Sequence, residues 1–185
     1  AEWVMDNRIY VMKWLKLYKT SKDGREEAED ESSEDSAGEH EAALELRGVP
    51  HPGGVNRIRS MPQASHIVAT MADSCKVHMW NLQGHRKALD DKAAKFEANP
   101  KPIHTCHDHK EEGFALDFNP HITGHFLSGS NDGVIFLWEP VPGGWNVSSK
   151  EPFKGHTSSV EDVQWKRDTS TGRFIFASGS SDGSV

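Results

Sequence analysis

HKEEGFALDFNPHITGHFLSGSNDGVIFLW, residues 109–138, is the stretch that decides the fold. Within it FALDF alternates apolar and polar residues, the period of a half-buried strand. HFLSGS is a short apolar run that ends in Gly and Ser. VIFLW is β-branched and aromatic, as strands prefer. The link SNDG between the last two runs supplies Asp and Gly where a tight turn needs unusual φ. The unit reads as strand, turn, strand, turn, strand, all antiparallel. No helical period of about 12 residues competes with it.

The same unit occurs three times. HPGGVNRIRSMPQASHIVATMADSCKVHMW covers 51–80, and HTSSVEDVQWKRDTSTGRFIFASGSSDGSV covers 156–185. His51 to Thr70 and His109 to Ser128 are the same distance apart, as are His51 to Trp80 and His109 to Trp138. His156 to Ser178 is three residues longer, and the polar KRDTSTG loop absorbs the difference. Seven positions after each His stands an aliphatic residue: Ile58, Leu116 and Val163. Repeats of four short antiparallel strands, about 40–45 residues each, predict an all-β propeller with one blade per repeat.

On these residues the chain resembles the WD-repeat β-propeller family. Gly155-His156 fits its Gly-His signature, and Trp80 and Trp138 fit its terminal Trp, although Asn81 and Glu139 stand where that family usually has Asp. The resemblance implies a hydrogen-bonded structural tetrad in each blade. It would comprise His51, Thr70 and Trp80 in the first copy. The second would have His109, Ser128, Asp132 and Trp138, and the third His156, Ser178 and Asp182. The first copy departs from the pattern: Pro50 replaces the Gly, and Ser74 rather than Asp73 falls at the acidic position. Its tetrad is expected to be incomplete. The resemblance also implies seven blades in the intact protein, of which this chain would hold about two and a half.

A narrower resemblance rests on GHTSSVEDVQW, EEGFALDFNPHITGHFLSG, KPIHT, and VMKWLKLYKT followed by an acidic run. It is to the glutamate-rich WD-repeat subfamily of ribosome-biogenesis regulators, relatives of the retinoblastoma-binding histone chaperones. It implies a non-enzymatic scaffold or chaperone in large-subunit biogenesis, nuclear and nucleolar, binding a basic ribosomal protein within assembly complexes. The alternative is a chromatin adaptor that binds histones H3–H4. A second alternative, from another class, is a metal-binding or hydrolytic protein.

The chain divides accordingly. Residues 1–20 read as strand(s) of an earlier blade, and 21–41 as a disordered acidic insert. Residues 42–101 hold an outer strand, the first blade copy and a linker in which 88–98 suggest a short helix. Residues 102–145 hold an outer strand and the second copy, and 146–185 a truncated third copy, with outer strands expected near 102–107 and 146–153. The chain lacks an initiator Met and reads as part of a longer protein; no signal peptide or apolar run long enough for a transmembrane helix is legible.

Formal net charge is −7, but 21–41 carry ten acids against Lys22 and Arg25, so the rest is close to neutral. Glu26, Glu27, Glu29, Asp30, Glu31, Glu34 and Asp35 form its centre. Such a run is either a solvated insertion or an electrostatic lure for a basic client. Ser32 and Ser36 each precede an acid by three positions, a pattern that phosphorylation would make more negative. No basic patch or phosphate-cradling glycine loop is present, so direct nucleic-acid binding is not expected, nor is a membrane role. No cofactor is expected.

IHTCHDH, 103–109, gathers four metal-ligating residue types. The repeat explains it otherwise: His109 aligns with His51 and His156, and the counterparts of Cys106 (Gly48, Phe153) and His107 (Val49, Lys154) are not metal ligands. Recurrence of Ser, His and Asp at matched spacing likewise points to blade structure, not to a catalytic triad. The expected partner surface is the end where the inner strands begin, near Asn56, Arg57, Glu112, Phe114, Ser159 and Glu161. Phe114 would be an exposed anchor or a wedge between blades.

Overall fold

The computed structural model describes residues 7–15, 42–148, 151–166 and 175–185. The acidic run 21–41, and with it Ser32 and Ser36, lies outside them. Strands β1 (Arg8–Leu15) and β2 (Ala43–Pro50) pair antiparallel over their whole length. β3 (Val55–Met61), β4 (Ala64–Ala72), β5 (Val77–Asn81) and β6 (His104–Cys106) form a four-stranded antiparallel sheet in chain order, with helix α1 (Gln83–Asp90) in the long connection before β6. β7 (Ala115–Phe118), β8 (Phe126–Gly129) and β9 (Val134–Val141) form the second sheet. Two short strands, β10 (Gly144–Val147) and β11 (Phe153–Lys154), pair with opposite ends of β9. β12 (Val160–Trp165) and β13 (Phe176–Ser180) form the third. Successive antiparallel sheets of this kind are the blades of a partial β-propeller.

The sheets stack face to face in chain order, and period-2 alternation tells which side chain meets which neighbour. Along the second sheet Leu116, Phe118, Phe126 and Trp138 pack with Met71, Met79 and Cys106 of the first. Ala115, Leu127 and Ile135 point the other way, onto Val160, Val163 and Trp165 of the third. With both faces covered, β8 is buried at every position, as a central layer requires. Gly129 allows the close approach: a Cβ there would lie 2.7 Å from Val160 Cγ1. On the other side Ile9 and Val49 of the first hairpin pack on Val68, Trp80 and Leu82.

Sheet and sequence repeat are out of phase by one strand. β2, β6 and β11 each lie just before a histidine, yet each pairs with the last strand of the preceding sheet. The strand expected near 102–107 therefore closes the first sheet and only leads into the second. The strand expected near 146–153 is two strands, because β9 runs on to Val141 and turns through Gly143 (φ 89°) directly into β10.

The helix expected within 88–98 is instead Gln83–Asp90. Its buried face is His85, Ala88 and Leu89, and Arg47 donates to the Ala88 carbonyl at 3.1 Å. It stops where Asp91 turns extended and its carboxylate accepts from the Ala93 N–H at 2.9 Å, a local bond that competes with helix. The aliphatic position of the repeat is also uneven. Leu116 and Val163 are buried, but Ile58 is 44% exposed, on the side of the first sheet that faces the β1–β2 hairpin.

Candidate functional site

The repeat histidines sit where one sheet hands over to the next. In the second copy the Trp138 indole N–H donates to Ser128 Oγ at 2.7 Å, and Ser128 Oγ lies 2.6 Å from His109 Nε2. On the other side of the ring Nδ1 meets Ser130 Oγ at 2.9 Å, and Ser130 donates to Asp132 at 2.5 Å. The carboxylate accepts only, so the direction is set. Ser130 gives its proton to Asp132 and accepts from His109 Nδ1–H, and the bare Nε2 accepts from Ser128. Ser128, Ser130, His109 and Trp138 are all buried, and burial pushes the His109 pKa down to about 4. The imidazole is neutral at physiological pH.

The first copy uses the same hub with a different far end. The Trp80 indole N–H donates to Thr70 Oγ1 at 3.0 Å, and His51 Nε2 lies 2.8 Å from that oxygen. His51 Nδ1–H donates to the Gly53 carbonyl at 2.8 Å, so a backbone oxygen stands where the second copy has Ser130 and Asp132. In the third copy His156 Nε2 meets Ser178 Oγ at 2.8 Å, and Nδ1 meets Asp182 at 3.2 Å and Ser184 at 3.0 Å. Asp182 is held well below the usual carboxylate range, first by the Ser184 hydroxyl and then by the Thr157 N–H. Nothing in the sequence marks out Ser130 and Ser184, because serine beside an Asp-Gly turn is ordinary turn composition. In the second copy the buried Ser128 and Ser130 hydroxyls serve indole and imidazole nitrogens, whereas in the third Ser178 is half-buried and Ser184 exposed.

The nominated partner residues are largely engaged at the sheet junctions. Asn56 donates to Glu112 Oε2 at 2.8 Å and to the Gly113 carbonyl at 3.2 Å. Arg57 Nε donates to the Phe114 carbonyl at 2.6 Å, and Ser159 to Asn131 at 2.8 Å. These bonds join the first sheet to the second and the second to the third. Phe114 is 37% exposed and Glu161 is exposed. The same end carries negative charge. Cys75, in the turn between β4 and β5, has its thiol pKa raised by desolvation first and then by the carboxylates of Glu111, Glu112, Asp73 and Asp132. Four acids from the first two sheets thus converge on one turn.

IHTCHDH is dispersed by the fold. His104 packs against Trp145 (5.9 Å between centroids), Cys106 is buried with its pKa pushed up to about 12, and His107 and Asp108 are exposed. Among the described residues no three His, Cys, Asp or Glu side chains are grouped to hold a metal ion. No helix among them is long and apolar enough to cross a membrane.

The family model "WD domain, G-beta repeat" matches residues 100–139 and 147–185, the two copies whose histidine reaches an acid. The chain is 43% identical over 148 residues to "Protein HEAT STRESS TOLERANT DWD 1" of Arabidopsis thaliana, covering 77% of this chain and 31% of that protein. It is 42% identical over 142 residues to "Glutamate-rich WD repeat-containing protein 1" of Dictyostelium discoideum, covering 77% and 28%. It is 35% identical over 184 residues to "Ribosome assembly protein rrb1" of Schizosaccharomyces pombe, covering 96% and 36%. The chain spans about a third of the length of these curated relatives.

Proposed function

The chain belongs to the WD-repeat family, and from that premise we propose that it is part of a non-enzymatic scaffold of ribosome assembly, holding a basic client protein in the nucleus and nucleolus. The client class we infer is a ribosomal protein of the large subunit. The observation that carries the reading is the convergence of Asp73, Glu111, Glu112 and Asp132 on the turn at Cys75. Those carboxylates make that end of the sheets locally negative near the exposed Phe114, whose carbonyl accepts from Arg57. The acidic run 21–41 adds ten carboxylates in the same chain. Such a run raises the encounter rate with a cationic partner, and the face at the sheet ends supplies shape. The printed name of one relative is that of a ribosome assembly protein, which supports the setting.

The test is affinity capture with the intact protein, followed by binding of the captured partner to a variant lacking 21–41. Capture of a basic ribosomal protein is expected. The deletion should weaken binding at low salt and flatten its salt dependence, since exposed charges are screened beyond about 10 Å at 0.1 M. Histones H3–H4 in place of ribosomal proteins would turn the reading into a chromatin one. Unchanged affinity of the deletion variant at low salt would remove the acidic run from the mechanism.

A further inference from the structure

We propose that the crevice between α1 and the segment 91–103, on the outer rim of the first sheet, docks a short acidic segment of a partner protein that carries an apolar anchor residue. The crevice is not part of the repeat. Trp80 to His109 spans 29 positions, whereas Trp138 to His156 spans 18, and the surplus builds α1 and the irregular chain after it. Long connections with their own structure are where binding sites concentrate.

Three observations define the occupant. The first is an unmet polar group. His85 is 2% exposed, lines the crevice, and its Nε2 has no hydrogen-bond partner. Burial lowers its pKa, so it stays neutral, and an orphaned buried nitrogen is costly until a ligand or water meets it. The second is apolar surface: Phe96 packs edge-on against His85 at 4.9 Å yet is 39% exposed, and Ile103 is 48% exposed. The third is charge. Lys95 and Lys101 line the crevice and make no ion pair among the described residues. The Arg47 guanidinium stands 6.0 Å from the Phe96 ring and donates to the Leu46 and Ala88 carbonyls. Glu97 is the carboxylate among the lining residues, so two lysines face one anion, with Arg47 standing behind Phe96.

The volume, about 400 Å³, suits a few side chains rather than a folded domain. An acidic segment would set carboxylates on the two lysines, an apolar residue on Phe96 and Ile103, and a polar group on His85. This site is independent of the client surface, whose own carboxylates repel such a segment.

The experiment uses the intact protein and a fluorescein-labelled peptide of about ten residues, with a Phe-Leu pair flanked by aspartates. Its control has lysines for the aspartates. Fluorescence anisotropy should show binding of the acidic peptide and not of the control. The double substitution Lys95→Glu/Lys101→Glu, both at exposed positions, should weaken it at least about tenfold. In the NMR spectrum the His85 ring protons should shift on addition of peptide. Equal binding to the charge-reversed variant, equal binding of the lysine control, an unmoved His85, or no binding at all would each overturn the proposal. Binding that appears only when residues 21–41 are deleted would assign the crevice to the chain's own acidic run and would overturn an external partner.

Discussion

Replacing Ser128 by Ala tests the hub directly. The hydroxyl is fully buried, takes the Trp138 indole proton at 2.7 Å and serves His109 Nε2 at 2.6 Å. Alanine keeps the backbone and removes only the oxygen. The indole N–H, itself buried, is then left without an acceptor, at a cost of about 1–3 kcal/mol. The imidazole loses a donor, adding about 1 kcal/mol. The sum is about 3 kcal/mol, or roughly a hundredfold in the unfolding equilibrium, at 1.4 kcal/mol per factor of ten. Urea unfolding of the intact protein, followed by tryptophan fluorescence, reads the global loss. The Trp138 indole proton in the NMR spectrum reads the local one and should lose its hydrogen-bonded shift and exchange faster. Ser130→Ala breaks the other side of the ring and should leave that indole signal in place. Ser148→Ala, an exposed hydroxyl on Glu139, should cost less than about 0.5 kcal/mol. If Ser128→Ala costs no more than Ser148→Ala, or the indole signal does not move, the hub reasoning is wrong.

Two further outcomes follow from the same geometry. His109 has its pKa lowered by burial to about 4, against about 6.5 in an unfolded chain. The native state therefore binds fewer protons between those values, so stability present above pH 6.5 is lost as pH falls toward 4. The loss is up to about 3 kcal/mol from this residue. Stability curves of wild type and His109→Gln should converge over that window, and parallel curves would refute the assignment. Cys75 has φ of 62° at the turn position where the other copies have Gly133 (79°) and Gly183 (84°). A left-handed side chain costs about 1–2 kcal/mol, part of which glycine returns through a looser unfolded chain. Cys75→Gly should raise the urea midpoint by an amount worth about 0.5–1 kcal/mol, and a lowered midpoint would show that the thiol is held for another reason.

The residues that specify the fold locally were readable as strings. Alternation in FALDF, the apolar run of β8 and the Asp-Gly turns set strand, turn and period. Spacing aligned His109, Ser128 and Trp138 with the other copies, the resemblance to the WD-repeat family implied that they bond, and the structure joins them in one buried hub. These features are legible because each is enforced within one sheet, by pleat and register. What lay between sheets was not. Asn56 and Ser159 looked free for a partner but hydrogen-bond across junctions, to Glu112 and Asn131. Ser130 carries the link from His109 to Asp132, although nothing in its neighbourhood marks it off from other turn serines. The helix was displaced toward Gln83 because its position follows from what His85, Ala88 and Leu89 pack against, and its own propensity does not decide that. The strand before each histidine leads forward into the next repeat along the chain, but the fold pairs it backward with the preceding sheet. Local pattern thus carried a repeated antiparallel blade with a His, a Ser/Thr and a Trp at matched spacing, and a separate acidic run. Only tertiary structure decided which sheet each edge strand closes, which polar residues bridge the blades, and where a crevice remains, because those depend on contacts between segments that no local pattern encodes.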